Sequence, residues 1–461
     1  MLLVLGVALL ALVSVAYLLG YRARSRPPAA TPVDSSSSSP LGFAFANAGL
    51  VGVSSYSSSI TWTTSEPSTG LLQWGPVGVE PVLWETVRRL DTRHVVRLQG
   101  LAPSTTYHAT ILASSIERKT ARTDLSFTTS PSPSQAQGRV RRGVLLVNGE
   151  QFFPLLSWQQ CPDQWQASLN AGINLFAVGS PCASPSSTLP VLKGRALVAA
   201  ADAAQPVSEP GLLGRFYPDE ADARGLTGTS LPALPAGIRF LTLTAHFASV
   251  AAPLPDGPGM YAGLVAAADV VGFDLYPLQE LCRRDLLPAD FDAQQQLERL
   301  APSKPTFQWI EVRGMRCGSS PGVSITPATI RAETWLALAA GAHGIAFFPP
   351  DWDQNAAPTI RGIADRIRQL EPALLQSAQP VHVEAAAPGV RAAARVYHDA
   401  IYVIAVNAGT KGTHVQLTLP GLRNRTLLVL GESKTLSAHR DALTDWLAPL
   451  AVRIYVAPPS N

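Results

Sequence analysis

Two glutamates are the strongest candidates for proton transfer and nucleophilic chemistry. Glu220 follows a short apolar run at 213–217, and Glu311 ends another at 305–311. A pair of carboxyl groups, one protonated and one ionised, serves as general acid and nucleophile on the same substrate. Similar runs end near six further polar or aromatic side chains, which are Asp219, His246, Asp274, Tyr276, Trp309 and Trp352. The sequence therefore predicts acid–base chemistry wherever these run ends meet.

The runs themselves indicate how the side chains are brought together. They lie at 152–157, 173–178, 195–200, 213–217, 239–244, 269–275, 305–311 and 343–348, with helix-like or loop segments between them. The clearest helix covers 327–340, with Thr326 as its N-cap and Gly341 as its stop. Eight buried strands alternating with helices predict a (β/α)8 TIM barrel over residues 138–380. In such a barrel, chemistry is carried at the C-terminal ends of the strands.

The barrel is flanked by segments with a different pattern. Residues 21–40 are rich in Pro and Ser and predict a flexible linker. Residues 41–130 alternate as short strands, and the run from Leu101 to Tyr107, together with Trp62, resembles the corner and core of a fibronectin type III domain. This resemblance implies an all-β sandwich with Trp62 and Tyr107 in its core. Residues 381–461 alternate again and predict a C-terminal β-sandwich.

The first residues predict a membrane anchor. Residues 1–20 are apolar over the length of a hydrocarbon span, which favours a transmembrane helix. The alternative is a signal peptide cleaved after Ser14-Val15-Ala16. Arg22, Arg24 and Arg26 would hold the body of the protein in the cytoplasm by the positive-inside tendency, so topology stays open.

Four cysteines bear on the compartment. In the barrel, each follows a predicted strand at the same end, so Cys161 with Cys182 and Cys282 with Cys317 would link neighbouring loops. That pairing implies an oxidising compartment, and hence domains that are membrane-anchored outside the cytoplasm or secreted. Four free thiols are the alternative.

The net charge and the motifs of the sequence limit the kinds of ligand and partner that we expect. The net charge of +3 comes without a basic run in the folded part, so we expect no nucleic-acid partner. The cysteines have neither CxxC spacing nor histidines at zinc-finger intervals, and we expect no metal and no organic cofactor. The oligomeric state stays open.

The strand-end residues resemble the large retaining clan of glycosidases that includes cellulases and β-galactosidases. That resemblance implies Glu220, after strand four, as general acid/base and Glu311, after strand seven, as nucleophile. It also implies Tyr276 as a partner of the nucleophile and Trp352 as the floor of the sugar site. Asp219, His246, Asp274 and Trp309 complete the expected substrate-binding set. The expected activity is retaining hydrolysis of the O-glycosidic bonds of a poly- or oligosaccharide.

The sequence departs from the clan next to the acid/base. Asp219 replaces the usual Asn, and an ionised Asp only accepts hydrogen bonds. Two alternatives therefore stay open. One is a non-catalytic carbohydrate-binding or adhesion protein on the same barrel. The other is a metal-dependent hydrolase that uses Asp219, Asp222, His246 and Asp274.

Overall fold

The computed structural model describes residues 42–201, 211–248, 259–317, 323–384 and 387–459. The chain begins there with a five-stranded antiparallel sheet. Its strands are β1 (Phe45–Val53), β2 (Ser57–Pro76), β3 (Leu83–Gln99), β4 (Thr106–Ser115) and β5 (Thr120–Thr128). The two long strands β2 and β3 break register between Thr63 and Ser68. The first half of β2 therefore pairs with β1, and its second half pairs with β4.

The core of this sheet contains the two aromatic residues that the sequence singled out. Trp62 and Tyr107 are both buried. The Tyr107 hydroxyl accepts a hydrogen bond from the Ala102 backbone N–H at 2.8 Å. The alternating strands thus form as expected, while membership of the fibronectin type III family stays a prediction.

A small sheet leads from this region into the barrel. It consists of β6 (Gly138–Arg141), β7 (Val144–Val147) and β8 (Glu150–Gln151). Leu145 and Val147 of β7 belong to the same hydrophobic cluster as the side chains of the barrel interior.

All eight predicted strands close into a parallel barrel. They are β9 (Leu155–Trp158), β10 (Leu175–Val178), β11 (Leu197–Ala200), β12 (Leu212–Phe216), β13 (Ile238–Thr244), β14 (Val270–Asp274), β15 (Thr306–Glu311) and β16 (Ile345–Phe348). Most of their residues are buried, as expected for strands covered on both faces. At Gly214 a side chain is excluded, since a Cβ there would lie 2.1 Å from the Ile238 carbonyl oxygen on the next strand.

Helices cover the outside of the barrel. They are α1 (Trp165–Ala171), α2 (Pro185–Leu192), α3 (Met260–Ala267), α4 (Leu287–Leu300), α5 (Pro327–Ala340) and α6 (Ala356–Leu374). The helix expected at 327–340 is confirmed with its cap, because the Thr326 hydroxyl accepts from the Thr329 N–H.

The C-terminal region is a pair of sheets around one core. One sheet has the order β17 (Gln379–Pro380), β19 (Val390–Tyr397), β20 (Ala400–Asn407), β25 (Val452–Ala457), β22 (Thr426–Val429) and β23 (Lys434–Ser437). The other contains β18 (His382–Val383), β21 (Thr413–Thr418) and β24 (Ala442–Leu447).

The expected transmembrane helix requires a correction. Across the described ranges, no helix combines the length and the apolar character needed to cross a membrane. Residues 1–20, on which the expectation of a membrane anchor rested, lie outside the described residues.

Candidate active site

The C-terminal mouth of the barrel contains a cavity of about 200 Å³ with polar and aromatic walls. Five of the sequence-predicted residues meet in it, namely Asp219, Glu220, Asp274, Tyr276 and Trp309. The other lining residues are Trp158, Glu280, Met315, Arg316 and Phe348. An adjoining cavity shares Glu220, Asp274 and Tyr276 and adds His246.

Three carboxyl groups from two barrel strands converge on the cavity. Asp274 ends β14 and shares a hydrogen bond with Glu220, which follows β12. Burial, and then the carboxylates of Glu220 and Asp219, raise the pKa of Asp274 well above its ordinary value. Burial, followed by the charge of Glu220, raises the pKa of Asp219 to about 6. Asp274 and Asp219 therefore retain their protons at a pH where isolated carboxyl groups have lost theirs.

The loop after β12 is fixed by a neighbouring buried aspartate. The carboxylate of Asp222 accepts from the backbone N–H and the hydroxyl of Thr244 on β13, at 3.0 and 2.7 Å. Two residues before Asp222, the backbone of Glu220 is in the left-handed region at φ 49°. A non-glycine residue rarely adopts this conformation, and such strain concentrates at functional sites. The Asp222–Thr244 hydrogen bonds join the loop that carries Asp219 and Glu220 to β13.

The loops after β14 and β15 contribute further residues to the cavity wall. A disulfide joins Cys282 to Cys317 across these loops. Gln279 adds two hydrogen bonds, because its carbonyl accepts from the Arg316 N–H and its Oε1 from the Met315 N–H, each at 2.9 Å. This connection holds Arg316 and Met315 against the cavity. The second expected disulfide, Cys161–Cys182, is also formed.

Glu311 lies apart from the cavity. Its two carboxylate oxygens accept from the backbone N–H groups of Leu278 and Gln279, both at 2.9 Å. Its side chain is fully buried, and it contacts Glu333 of α5. Burial raises the pKa of Glu311 to about 7. The structure thus places Glu311 where it anchors the loop that follows Tyr276, and it is not among the described residues that line the cavity.

His246 and Trp352, the remaining predicted residues, lie away from the main cavity. His246 Nδ1 forms a short hydrogen bond with the Thr244 hydroxyl and reaches only the adjoining cavity. Trp352 packs edge-on against Phe347, with ring centroids 6.3 Å apart. Its indole N–H is buried without a hydrogen-bond partner in the described part of the chain.

Sequence reasoning missed five residues of the cavity wall. Trp158 and Phe348 end barrel strands β9 and β16, so the rule that found Trp309 also applies to them. Glu280, Met315 and Arg316 come from loops, and the flanking cysteines were their only signal. Within the described ranges, no group of three His, Cys, Asp or Glu side chains has the geometry of a metal site.

The aromatic side chains form two contacts that shape the cavity. Trp158 meets Trp309 edge to face with ring centroids 5.4 Å apart. Tyr276 stacks on Phe348 at 5.6 Å. Together they give the acidic cavity an apolar wall of the kind found in small-molecule sites.

Comparison with known proteins gives a distant likeness in fold. No family model matches the chain, and no curated protein matches it. Among solved structures it is similar to β-glucuronidase from Ruminococcus gnavus in complex with D-glucuronic acid, with a TM-score of 0.37 and 7% sequence identity. That match covers 70% of this chain and 68% of the other. A complex of the same protein with D-glucaro-d-lactam has a TM-score of 0.36 and 8% identity over the same shares. A likeness this distant says nothing about what the present chain does.

Proposed function

We propose that the protein is a glycoside hydrolase that binds a carbohydrate in the mouth cavity and cleaves an O-glycosidic bond. The observation that carries this proposal is the hydrogen-bonded pair of Glu220 and Asp274 in a cavity with aromatic walls. Aromatic faces suit the apolar faces of a sugar ring, and a carboxyl pair supplies the acid and the nucleophile that glycoside cleavage requires.

The proposed mechanism is retaining double displacement. Asp274 acts as general acid, because burial and two neighbouring carboxylates keep its pKa high. Glu220 attacks the anomeric carbon as Asp274 protonates the departing oxygen. The ionised Asp274 then takes a proton from water, which hydrolyses the glycosyl–Glu220 ester. Retaining enzymes hold their carboxyl groups about 5 Å apart, so an entering sugar has to displace the direct Glu220–Asp274 hydrogen bond.

This assignment moves the nucleophile from Glu311 to Glu220. A nucleophilic carboxylate needs an oxygen that faces the substrate, whereas both oxygens of Glu311 accept main-chain hydrogen bonds. We propose that Glu311 instead supports the loop that leads from Tyr276 to the cavity wall. We further propose that the protein works in an oxidising compartment outside the cytoplasm, a location that its disulfides support.

Paired substitutions test the proposal on aryl glycosides. Glu220→Gln should reduce turnover by at least about 10²-fold, because the covalent step is lost. Asp274→Asn should spare the first step for activated aryl leaving groups, and azide should restore turnover because it needs no deprotonation. Asp353→Asn is the matched control, since Asp353 is not among the described residues that line the cavity, and its carboxylate accepts from backbone N–H groups at the start of α6.

Two results would overturn the proposal. One is a wild-type activity that survives both cavity substitutions unchanged. The other is sugar binding without turnover on any glycoside tested, which is the behaviour of a carbohydrate-binding protein.

A further inference from the structure

The mouth cavity has an excess of hydrogen-bond acceptors. Its described lining includes the carboxyl groups of Asp219, Glu220, Asp274 and Glu280, against the single guanidinium of Arg316. That guanidinium is already paired with Glu280 at 3.3 Å. Ionised carboxylates only accept hydrogen bonds, so the cavity suits a ligand that is rich in donors.

The proposed chemistry uses neither Asp219 nor Glu280, and Glu280 is the partner of Arg316. Asp219 is therefore the carboxyl group to consider for ligand binding. It precedes Glu220 in the same loop, which the Asp222–Thr244 hydrogen bonds join to β13, and it lines the cavity. The Glu220 backbone N–H is its hydrogen-bond donor among the described residues. Its second oxygen is therefore available to a ligand. Two charges act on Asp219: that of Glu220 favours a cation there, and that of Arg224, a cation already near it, lowers the pKa of Asp219.

We propose that the cavity recognises a sugar carrying a free, protonated amine, and that Asp219 binds the ammonium group. This inference rests on the proposed function and names the substrate class of the same site. An ammonium group offers three donors and a positive charge, and it forms charge-assisted hydrogen bonds with a carboxylate. The aromatic rings of Tyr276 and Trp309 add surfaces that attract a cation. An acetylated amine has lost the charge and two of its donors.

Calorimetric binding to the intact protein tests the inference without requiring turnover. The probes are D-glucosamine and D-galactosamine, each compared with its neutral hexose and its N-acetyl derivative, and partly deacetylated chitosan oligomers compared with cello-oligomers. We expect the amine to tighten binding by about tenfold or more, the effect of one charge-assisted hydrogen bond. Acetylation should abolish this preference.

Asp219→Asn is the decisive variant. It should bind amino and neutral sugars equally, whereas Asp353→Asn should keep the wild-type preference. In wild-type protein the preference should also weaken as the pH falls through about 6, where Asp219 takes up a proton. In Asp219→Asn, the relative binding of amino and neutral sugars should not change over this pH range.

The outcomes separate the two proposals. Equal binding of amino and neutral sugars, an unchanged preference in Asp219→Asn, or no binding of any sugar probe would each overturn the inference. Hydrolysis of neutral glycosides without an amine preference would overturn it while leaving the proposed function intact. Selective binding of amino sugars without hydrolysis would support it and count against the proposed function.

Discussion

In the part of the chain that the structure describes, two groups of three carboxyl residues differ in what surrounds them. The mouth cluster consists of Asp219, Glu220 and Asp274, and it opens on the cavity. The buried cluster consists of Asp290, Glu311 and Glu333, and its side chains lie between β15 and the helices α4 and α5. Burial raises the pKa of Asp274 in the first cluster and of Asp290 and Glu333 in the second.

A raised pKa therefore does not distinguish the carboxyl groups that we propose to react from those that we propose to be structural. The two clusters differ in which groups their carboxylate oxygens contact. Glu311 uses both oxygens on main-chain N–H groups, and Asp290 accepts from the Gln308 amide at 3.0 Å. In the mouth cluster, the carboxyl groups instead face the cavity and one another, so a ligand in the cavity can contact them.

Among the substitutions that test this difference between the clusters, Glu311→Gln should have the largest effect. A glutamine replaces one accepting oxygen with an N–H₂ group, which then faces a buried backbone N–H. We expect the free energy of unfolding to fall by about 1–3 kcal/mol, the cost of an unsatisfied buried group. Turnover should fall far less than in Glu220→Gln. Urea denaturation and steady-state kinetics on the same preparations measure both effects, and Asp353→Asn is again the control.

The opposite pattern would exchange the roles that we assign to the two clusters. If Glu311→Gln left the stability unchanged but removed activity as fully as Glu220→Gln, the buried cluster would be the reacting one.

A smaller effect is expected at Glu371, a buried carboxyl group outside both clusters. Burial raises its pKa from 4.5 to about 8, and it accepts from the Phe153 N–H at 3.3 Å. The folded protein therefore keeps this proton up to about pH 8, while the unfolded chain releases it near 4.5. Its stabilising contribution is present at low pH and is lost as the pH rises between these values.

Thermal unfolding followed across that pH range tests this contribution. The wild-type melting temperature should fall more steeply with rising pH than that of Glu371→Gln, whose amide does not titrate. Catalytic turnover should be the same in both proteins. Parallel pH dependences would show that Glu371 does not titrate differently in the folded and unfolded states.

The sequence predicted the frame of the site well, because buried strands have a strong local signal. The eight apolar runs form the eight barrel strands. Five of the residues expected at the strand ends line one cavity, namely Asp219, Glu220, Asp274, Tyr276 and Trp309. Both disulfides joined the expected loops, since those loops meet at one end of the barrel.

The sequence did not predict which groups the individual side chains contact. Glu311 ends its strand as expected, but its carboxylate accepts from main-chain N–H groups in the loop after β14, the preceding strand. That contact depends on how two distant loops meet. Met315 and Arg316 enter the cavity for the same reason, because Gln279 and the Cys282–Cys317 disulfide set their position.

Covalent trapping compares the two clusters directly. A mechanism-based fluoro-sugar leaves its glycosyl group on the attacking carboxylate, and peptide mass spectrometry then identifies the labelled residue. The reagent should be a substrate analogue that wild-type protein turns over and that Asp353→Asn also accepts. We predict a label on Glu220, lost in Glu220→Gln and retained in Glu311→Gln. A label on Glu311 would contradict the account, because it would mean that the buried cluster performs the chemistry.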